Sequence, residues 1–380
     1  MSRQPWYLLR CTVQRYKWGS QASDSILRRL AAAGHDEPAL DEPVAELWMG
    51  AHPSAPSMII PDLLSLRDAI HTDPQYMIES TGELSFLFKV LHADAPLSIQ
   101  AHPDRELARV LHAKDPANYP DANHKPELAV CLKDMHALVG FRDLGEIESF
   151  FQRLKALREL CGGSTLDGLA GTEFLRAAYA RLMKAQAEEV ARTAGLVRAA
   201  AGSSKEDNCF LDLAHRYGDR DPGIFAPYFL NLMELAPGEG IFLGPNEPHS
   251  YLGGEILECM ASSDNVVRAG LTPKFCDVDT LLSMLTYKTG RHSIVHLTEE
   301  ANPFYEIPVS DFALRRVYNV QSRGLPGIAL VLSGELHLTD NHRTGCFPAG
   351  SALFIPAGAK VDMRGEGSTY FCETGPGFQS

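Results

Sequence analysis

The sequence predicts a mainly β protein with a helical insertion: two jelly-roll barrels plus an α-helical domain. Three observations carry this. Most of the chain consists of short apolar runs cut by Gly and Pro, which is the texture of strands and turns. That texture is interrupted once, from Asp143, by a long stretch with helical spacing. And two distant segments, "PGEGIFLGPNEPH" and "PAGSALFIPAGAK", share a frame of Pro, Gly, apolar residues, Pro and a polar or small turn, the weak echo of two related barrels.

The first barrel is expected to begin within residues 1–142. There "LSFLFKVLHADAPLSIQAH" and "KPELAVCLKDMHALVGF" read as strands, with one helix near residues 62–71. In "DLGEIESFFQRLKALREL", Ile147, Phe150, Phe151, Leu154 and Leu157 recur at helical spacing, and Asp143 with Glu146 resembles a capping box. The Ala-rich run "TEFLRAAYARLMKAQAEEVARTAGLVRAAAG" and "NCFLDLAHRYG" continue the period, so residues 143–226 form the inserted helical domain. Residues 227–292 return to strand, turn and strand, and complete the first barrel. Residues 293–380 make a second barrel, expected to be metal-free because its turn after the second Pro holds Ala and Lys where the first holds His.

Bulk properties exclude several functions. A chain of 380 residues with 45% hydrophobic content has ample core material for more than one domain. No apolar run approaches the roughly 18 residues of a membrane span, and the charged, aromatic N-terminus lacks a signal peptide's apolar segment. The eight cysteines form no CxxC pair, so a reducing cytoplasm is expected rather than a disulfide framework. A net charge of -13 argues against nucleic acid and anionic membrane as partners. A small anionic ligand then requires a local gathering of Lys and Arg.

The chemistry is concentrated in a few stretches. In "SIQAHPD", the two-residue period of a strand puts Ser98, Gln100 and His102 on one face. "NHKPELAV" offers Lys125 and Glu127, and "EPHSYL" delivers His249 and Tyr251 after a Pro turn. Each alone is common satisfied or solvated polarity. Together, two imidazoles, a carboxylate and an amide oxygen on separate strands make a metal set, which suits zinc or, equally by ligand type, Fe(II). Lys89 lies inside the apolar "FLFKVL" and needs an anionic partner, either a carboxylate or a ligand. Lys89, Lys125, Arg268 and Lys274 supply a positive pocket fit for a phosphorylated substrate.

The stretches "KWGS", "AELWMGAHPSAPS", "FLFKVLHADAPLSIQAHPD", "NHKPELAV", "GFR" and "EPHSYLGGEILECMASSDNVVRAGLTPK" resemble the type I phosphomannose isomerases of the cupin superfamily, from Tyr16 to about residue 290. The resemblance implies cupin-type barrels, interconversion of mannose 6-phosphate and fructose 6-phosphate, and one Zn²⁺ per chain. It implies Gln100, His102, Glu127 and His249 as metal ligands and Arg268 as a catalytic residue. Lys125 and Glu258 are both candidates for the base. Ser98, Lys89, Tyr251, Asp264, Lys274 and Trp18 are expected to bind the sugar phosphate, and the chain is expected to be a monomer. An iron oxygenase and a sugar-phosphate-binding protein without catalysis are the alternatives that the ligand types leave open.

Overall fold

The computed structural model describes residues 3–80 and 82–378. Two antiparallel sheets of nine strands each dominate it. The first runs Gly240–Leu243, Glu127–Phe141, His249–Ala261, Phe86–Ala93, Glu46–Met49 and Thr12–Gln14, with Ile99–Ala101 and Val267–Gly270 branching from His249–Ala261. The second joins Ala313–Arg316, Asp362–Glu373, Gly327–Thr339, Ala352–Ile355 and Tyr7–Arg10, with Met58–Ile60 and Leu64–Ser65 at its edge. An apolar core from Leu9 and Phe88 to Leu257, Leu330 and Phe354 draws on both sheets.

Residues 1–142 therefore do not all serve the first sheet. Tyr7 lies opposite Phe354, and Leu8 opposite Ile60, so the N-terminal strand and its neighbour complete the C-terminal sheet. Alternation in "YLLR" selects a buried face but cannot select which distant strand pairs with it.

The helical stretch forms where the period placed it, in more pieces. Leu144–Arg153 and Lys155–Leu160 are separate helices broken at Leu154, followed by Gly171–Met183, Ala187–Ala200 and Lys205–Tyr217. Asp143 caps the first, its Oδ1 accepting from the Gly145 amide at 2.9 Å. The capping box is incomplete, because Glu146 Oε2 accepts from Arg142 Nη1 instead, at 3.3 Å. The expected helix near residues 62–71 is Leu66–Thr72, started by the Ser65 hydroxyl. Three further capped helices were not anticipated: Ile26–Ala32, Arg105–Lys114 and Val278–Met284, behind Ser25, Asp104 and Asp277. No helix among the described residues is long and apolar enough to cross a membrane.

The insertion has a positional role. Its aromatic core, with Phe151, Phe174, Tyr179 and Phe210, also takes in Ile99, Ala101, Val267 and Ala269. These four alternate along their strands with Gln100 and Arg268. Burying the odd-numbered neighbours in helix turns the even-numbered polar residues to the opposite side.

One glycine shapes the central strand. Gly254 sits at φ +110° within His249–Ala261, where a Cβ would meet the Asp134 carbonyl oxygen at 2.4 Å. The register with Glu127–Phe141 shifts on both sides of it. Gly254→Ala is expected to cost about 3 kcal/mol or more, since it adds a backbone clash to an unfavourable φ. Denaturant midpoints at fixed metal content measure this, and an unchanged midpoint sinks the argument.

Candidate metal centre and active-site cavity

Strand pairing lays out the site. His249 lies directly opposite Gln100, and Gln100 directly opposite Arg268, so one row crosses three strands. A parallel row places Trp48 opposite Lys89 and Lys89 opposite Glu258. Directly paired residues share a face. His102 follows the Gln100 strand, and Glu127 opens the next long one.

His102, Glu127 and His249 come together, with one ligand atom of each within 4.8 Å of the others. His102 Nε2 is 3.2 Å from Glu127 Oε1, and His249 Nε2 is 3.6 Å from Oε2. The opposite ring nitrogens are tied to backbone carbonyls: His102 Nδ1 to Asn265 O at 2.7 Å, His249 Nδ1 to Glu247 O at 3.1 Å. A carbonyl only accepts, so each Nδ1 carries the proton and each Nε2 presents a lone pair. Both Nε2 atoms are buried without a hydrogen-bond partner. Burial lowers the pKa of His102, and lowers that of His249 to about 4. Burial works against ionisation of Glu127, but His102 and His249, charged only in the acid range where this carboxylate would titrate, and Lys125 prevail and hold it well below the usual carboxylate range. Two neutral nitrogen lone pairs thus face an ionised carboxylate. That donor set, with both imidazole rings held in place by backbone carbonyls, fits a divalent metal.

Above this group opens a cavity of about 640 Å³. Its lining includes every other site residue expected from the sequence: Trp18, Lys89, Ser98, Gln100, Lys125, Tyr251, Glu258, Asp264, Arg268 and Lys274. Glu127 reaches the cavity floor, while His102 and His249 lie wholly buried beneath it. Gln100 is half-buried in the wall.

The charges sort into two sets. Lys89 is buried, with Nζ 3.3 Å from Glu258 Oε2 and 3.9 Å from Glu46 Oε1, over the Trp48 ring. Burial opposes its charge, yet Glu46, Glu258 and Glu127 keep its pKa above the ordinary lysine value. Its anionic partner is therefore a carboxylate pair. Lys125 Nζ lies 3.3 Å from Glu127 Oε1. The Tyr251 hydroxyl donates to Glu258 Oε1 at 2.9 Å. Burial, reinforced by the charge of Glu127, raises the Glu258 pKa. Asp264 accepts from His52 at 3.3 Å, a bond that lowers its pKa. In contrast, the side chains of Lys17, Arg268 and Lys274 line the cavity with no hydrogen bond or ion pair among the described residues.

Sequence reasoning missed several lining residues. Glu46 and Trp48 were readable: "ELW" is a strand, and its alternation puts both on one face, where Trp48 Nε1 donates to Glu46 Oε2 at 2.5 Å. Tyr217 had no such signal. It ends the last inserted helix and its hydroxyl bonds the Pro96 carbonyl at the cavity rim.

A buried His–Glu–His group under a cavity with uncompensated cations defines a metal-competent enzyme site for a small anion. The sequence profile of the phosphomannose isomerase type I catalytic domain matches residues 7–144. The chain is 37% identical to the mannose-6-phosphate isomerase of Bos taurus over 407 aligned positions, covering 96% of each chain. It is 37% identical to that of Homo sapiens, covering 94% of each. Among solved structures, apo mannose 6-phosphate isomerase from Salmonella typhimurium superposes with a TM-score of 0.87 at 32% identity, over 98% of this chain and 100% of that one. A mannose 6-phosphate isomerase bound with zinc and yttrium gives 0.88 at 32% identity, with the same coverage. The chain belongs to the mannose-6-phosphate isomerase family and is an isomerase.

Proposed function

We propose that this isomerase is zinc-dependent and interconverts D-mannose 6-phosphate and D-fructose 6-phosphate through a cis-enediol(ate), on two cupin-type jelly-roll barrels. One Zn²⁺ per chain would be held by His102, Glu127, His249 and the Gln100 amide oxygen. The observation that carries the reading is the pair of buried, unpartnered Nε2 lone pairs aimed at an ionised carboxylate. A zinc-bound relative supports the choice of metal. When bound, the ion supplies a Lewis acid for the opened sugar's carbonyl.

The chain's own residues divide the remaining work. Lys274 and Ser98 at the cavity wall hold the phosphate, which anchors the reacting carbons. Arg268, uncompensated and half-buried beside Gln100, stabilises the developing oxyanion. Glu258 carries the proton between C2 and C1. With a metal held by Glu127, burial, the larger cause, would still keep the Glu258 pKa raised, as a general base requires. Tyr251 and Lys89 fix its two oxygens. Lys125 stays with Glu127 as its positive partner.

A coupled assay for fructose 6-phosphate formation from mannose 6-phosphate tests the function, and binding without turnover rejects it. Glu258→Gln is expected to lower kcat by about 10²-fold or more, the scale of general-base catalysis. Because the base must be ionised, activity of the parent rises with pH through the Glu258 pKa, on a limb lying above the ordinary glutamate range. A parent limb at the ordinary position, or near-parental turnover by Glu258→Gln, assigns the proton to another group.

A further inference from the structure

A second group of metal-ligating side chains lies on the outside of the C-terminal sheet. Along Gly327–Thr339, Leu336 and Leu338 point into the core, and Glu335 and His337 point outward. Cys346 of the neighbouring strand lies directly opposite His337, and Glu366, on the other side, directly opposite Glu335. One ligand atom each of Glu335, His337 and Cys346 falls within 4.8 Å of the others. Cys346 Sγ is 3.1 Å from Glu335 Oε2. His337 Nε2 is 3.8 Å from Glu335 Oε2 and 3.9 Å from Glu366 Oε1.

Unbalanced negative charge suits this patch to a cation. Like charges directly opposed across a ladder are unfavourable, and Glu335 faces Glu366 in just that way. Arg364 compensates Glu366, with Nη2 2.7 Å from its Oε1, but no Lys or Arg pairs with Glu335 among the described residues. The strand register sets which of these residues lie side by side.

We infer that Glu335, His337 and Cys346 bind a divalent transition-metal ion of the zinc class, with Glu366 placed to add an oxygen. One sulfur, one nitrogen and carboxylate oxygen form a borderline-soft set that Mg²⁺ and Ca²⁺ do not prefer. On binding, the Cys346 S–H bond gives way to a sulfur–metal bond and one proton passes to solvent. This departs from the expectation of a metal-free second barrel, which rests on the turn "PAGAK" and not on the outward-facing side of the strands.

Cobalt(II) titration of the freshly reduced, full-length protein tests the assignment. The catalytic group contains no sulfur, so a thiolate–cobalt charge-transfer band that depends on Cys346 reports this site and not the catalytic one. Two equivalents are expected to bind, with the band saturating at one. Cys346→Ser is expected to abolish the band and one equivalent while leaving isomerase activity unchanged. His337→Ala and Glu335→Gln are expected to weaken the band-forming step about tenfold or more. Absence of the band, its persistence in Cys346→Ser, or its indifference to both other substitutions overturns the proposal; the last outcome marks a thiol acting alone.

Discussion

Dialysis against a strong chelator is expected to lower isomerase turnover by about three orders of magnitude, and added zinc to restore it. The size follows from the several kcal/mol a Lewis acid contributes at a developing alkoxide. The direction follows from the centre itself. His102 and His249 are locked by carbonyls as Nδ1–H tautomers and kept neutral by burial, so neither supplies a positive charge to Glu127. Lys125 reaches only one of its oxygens, at 3.3 Å. Without a dication, the site buries an under-compensated carboxylate against two lone pairs. Loss of metal therefore also lowers thermal stability, and zinc raises the melting temperature as a ligand bound only by the folded state. Elemental analysis alongside the assay makes the result decisive: full turnover by a protein shown to be metal-free rejects the metal centre.

The site was more legible than the fold around it, for a physical reason. Metal ligands on strands obey a two-residue period, so "SIQAH" announces a polar face, and a polar face inside an apolar context demands partners. The same rule would have found Glu46 from "ELW". What alternation cannot encode is which strand lies beside which. Tyr7–Arg10 has an unambiguous buried face, yet its pairing with Ala352–Ile355 is a contact across more than three hundred residues, specified only by the assembled core. Helix signals failed differently. Asp104 caps Arg105–Lys114 through the Leu107 amide at 2.8 Å, but this ten-residue helix is polar overall and buries only Ala108 and Leu111 directly after the metal motif. Tyr217 illustrates the limit: its helix was predictable, its arrival at Pro96 was not.

Arg268→Ala is expected to reduce kcat by about 10²–10³-fold, the loss seen when one preorganised oxyanion donor is removed. The argument begins with cost. Arg268 is half-buried, burial lowers its pKa, and its guanidinium has no hydrogen bond or ion pair among the described residues. A charge held in that state is unfavourable until an anion meets it. Its position is nevertheless well determined: Val267 and Ala269 on either side are buried in the core shared with the inserted helices, and the Gln100 backbone pairs with its own. Truncating the side chain should therefore leave the strand, Gln100 and the His102–Glu127–His249 group in place, and zinc content is expected to match the parent. Arg268→Lys restores charge without the planar fork and is expected to recover only part of the rate. The split between constants identifies the role. A fall in kcat with little change in KM means a contact made in the transition state, whereas a rise in KM alone means that Arg268 grips the phosphate. Turnover within about threefold of the parent, at parental zinc content, removes Arg268 from the chemistry altogether, because a lost oxyanion donor costs far more than that.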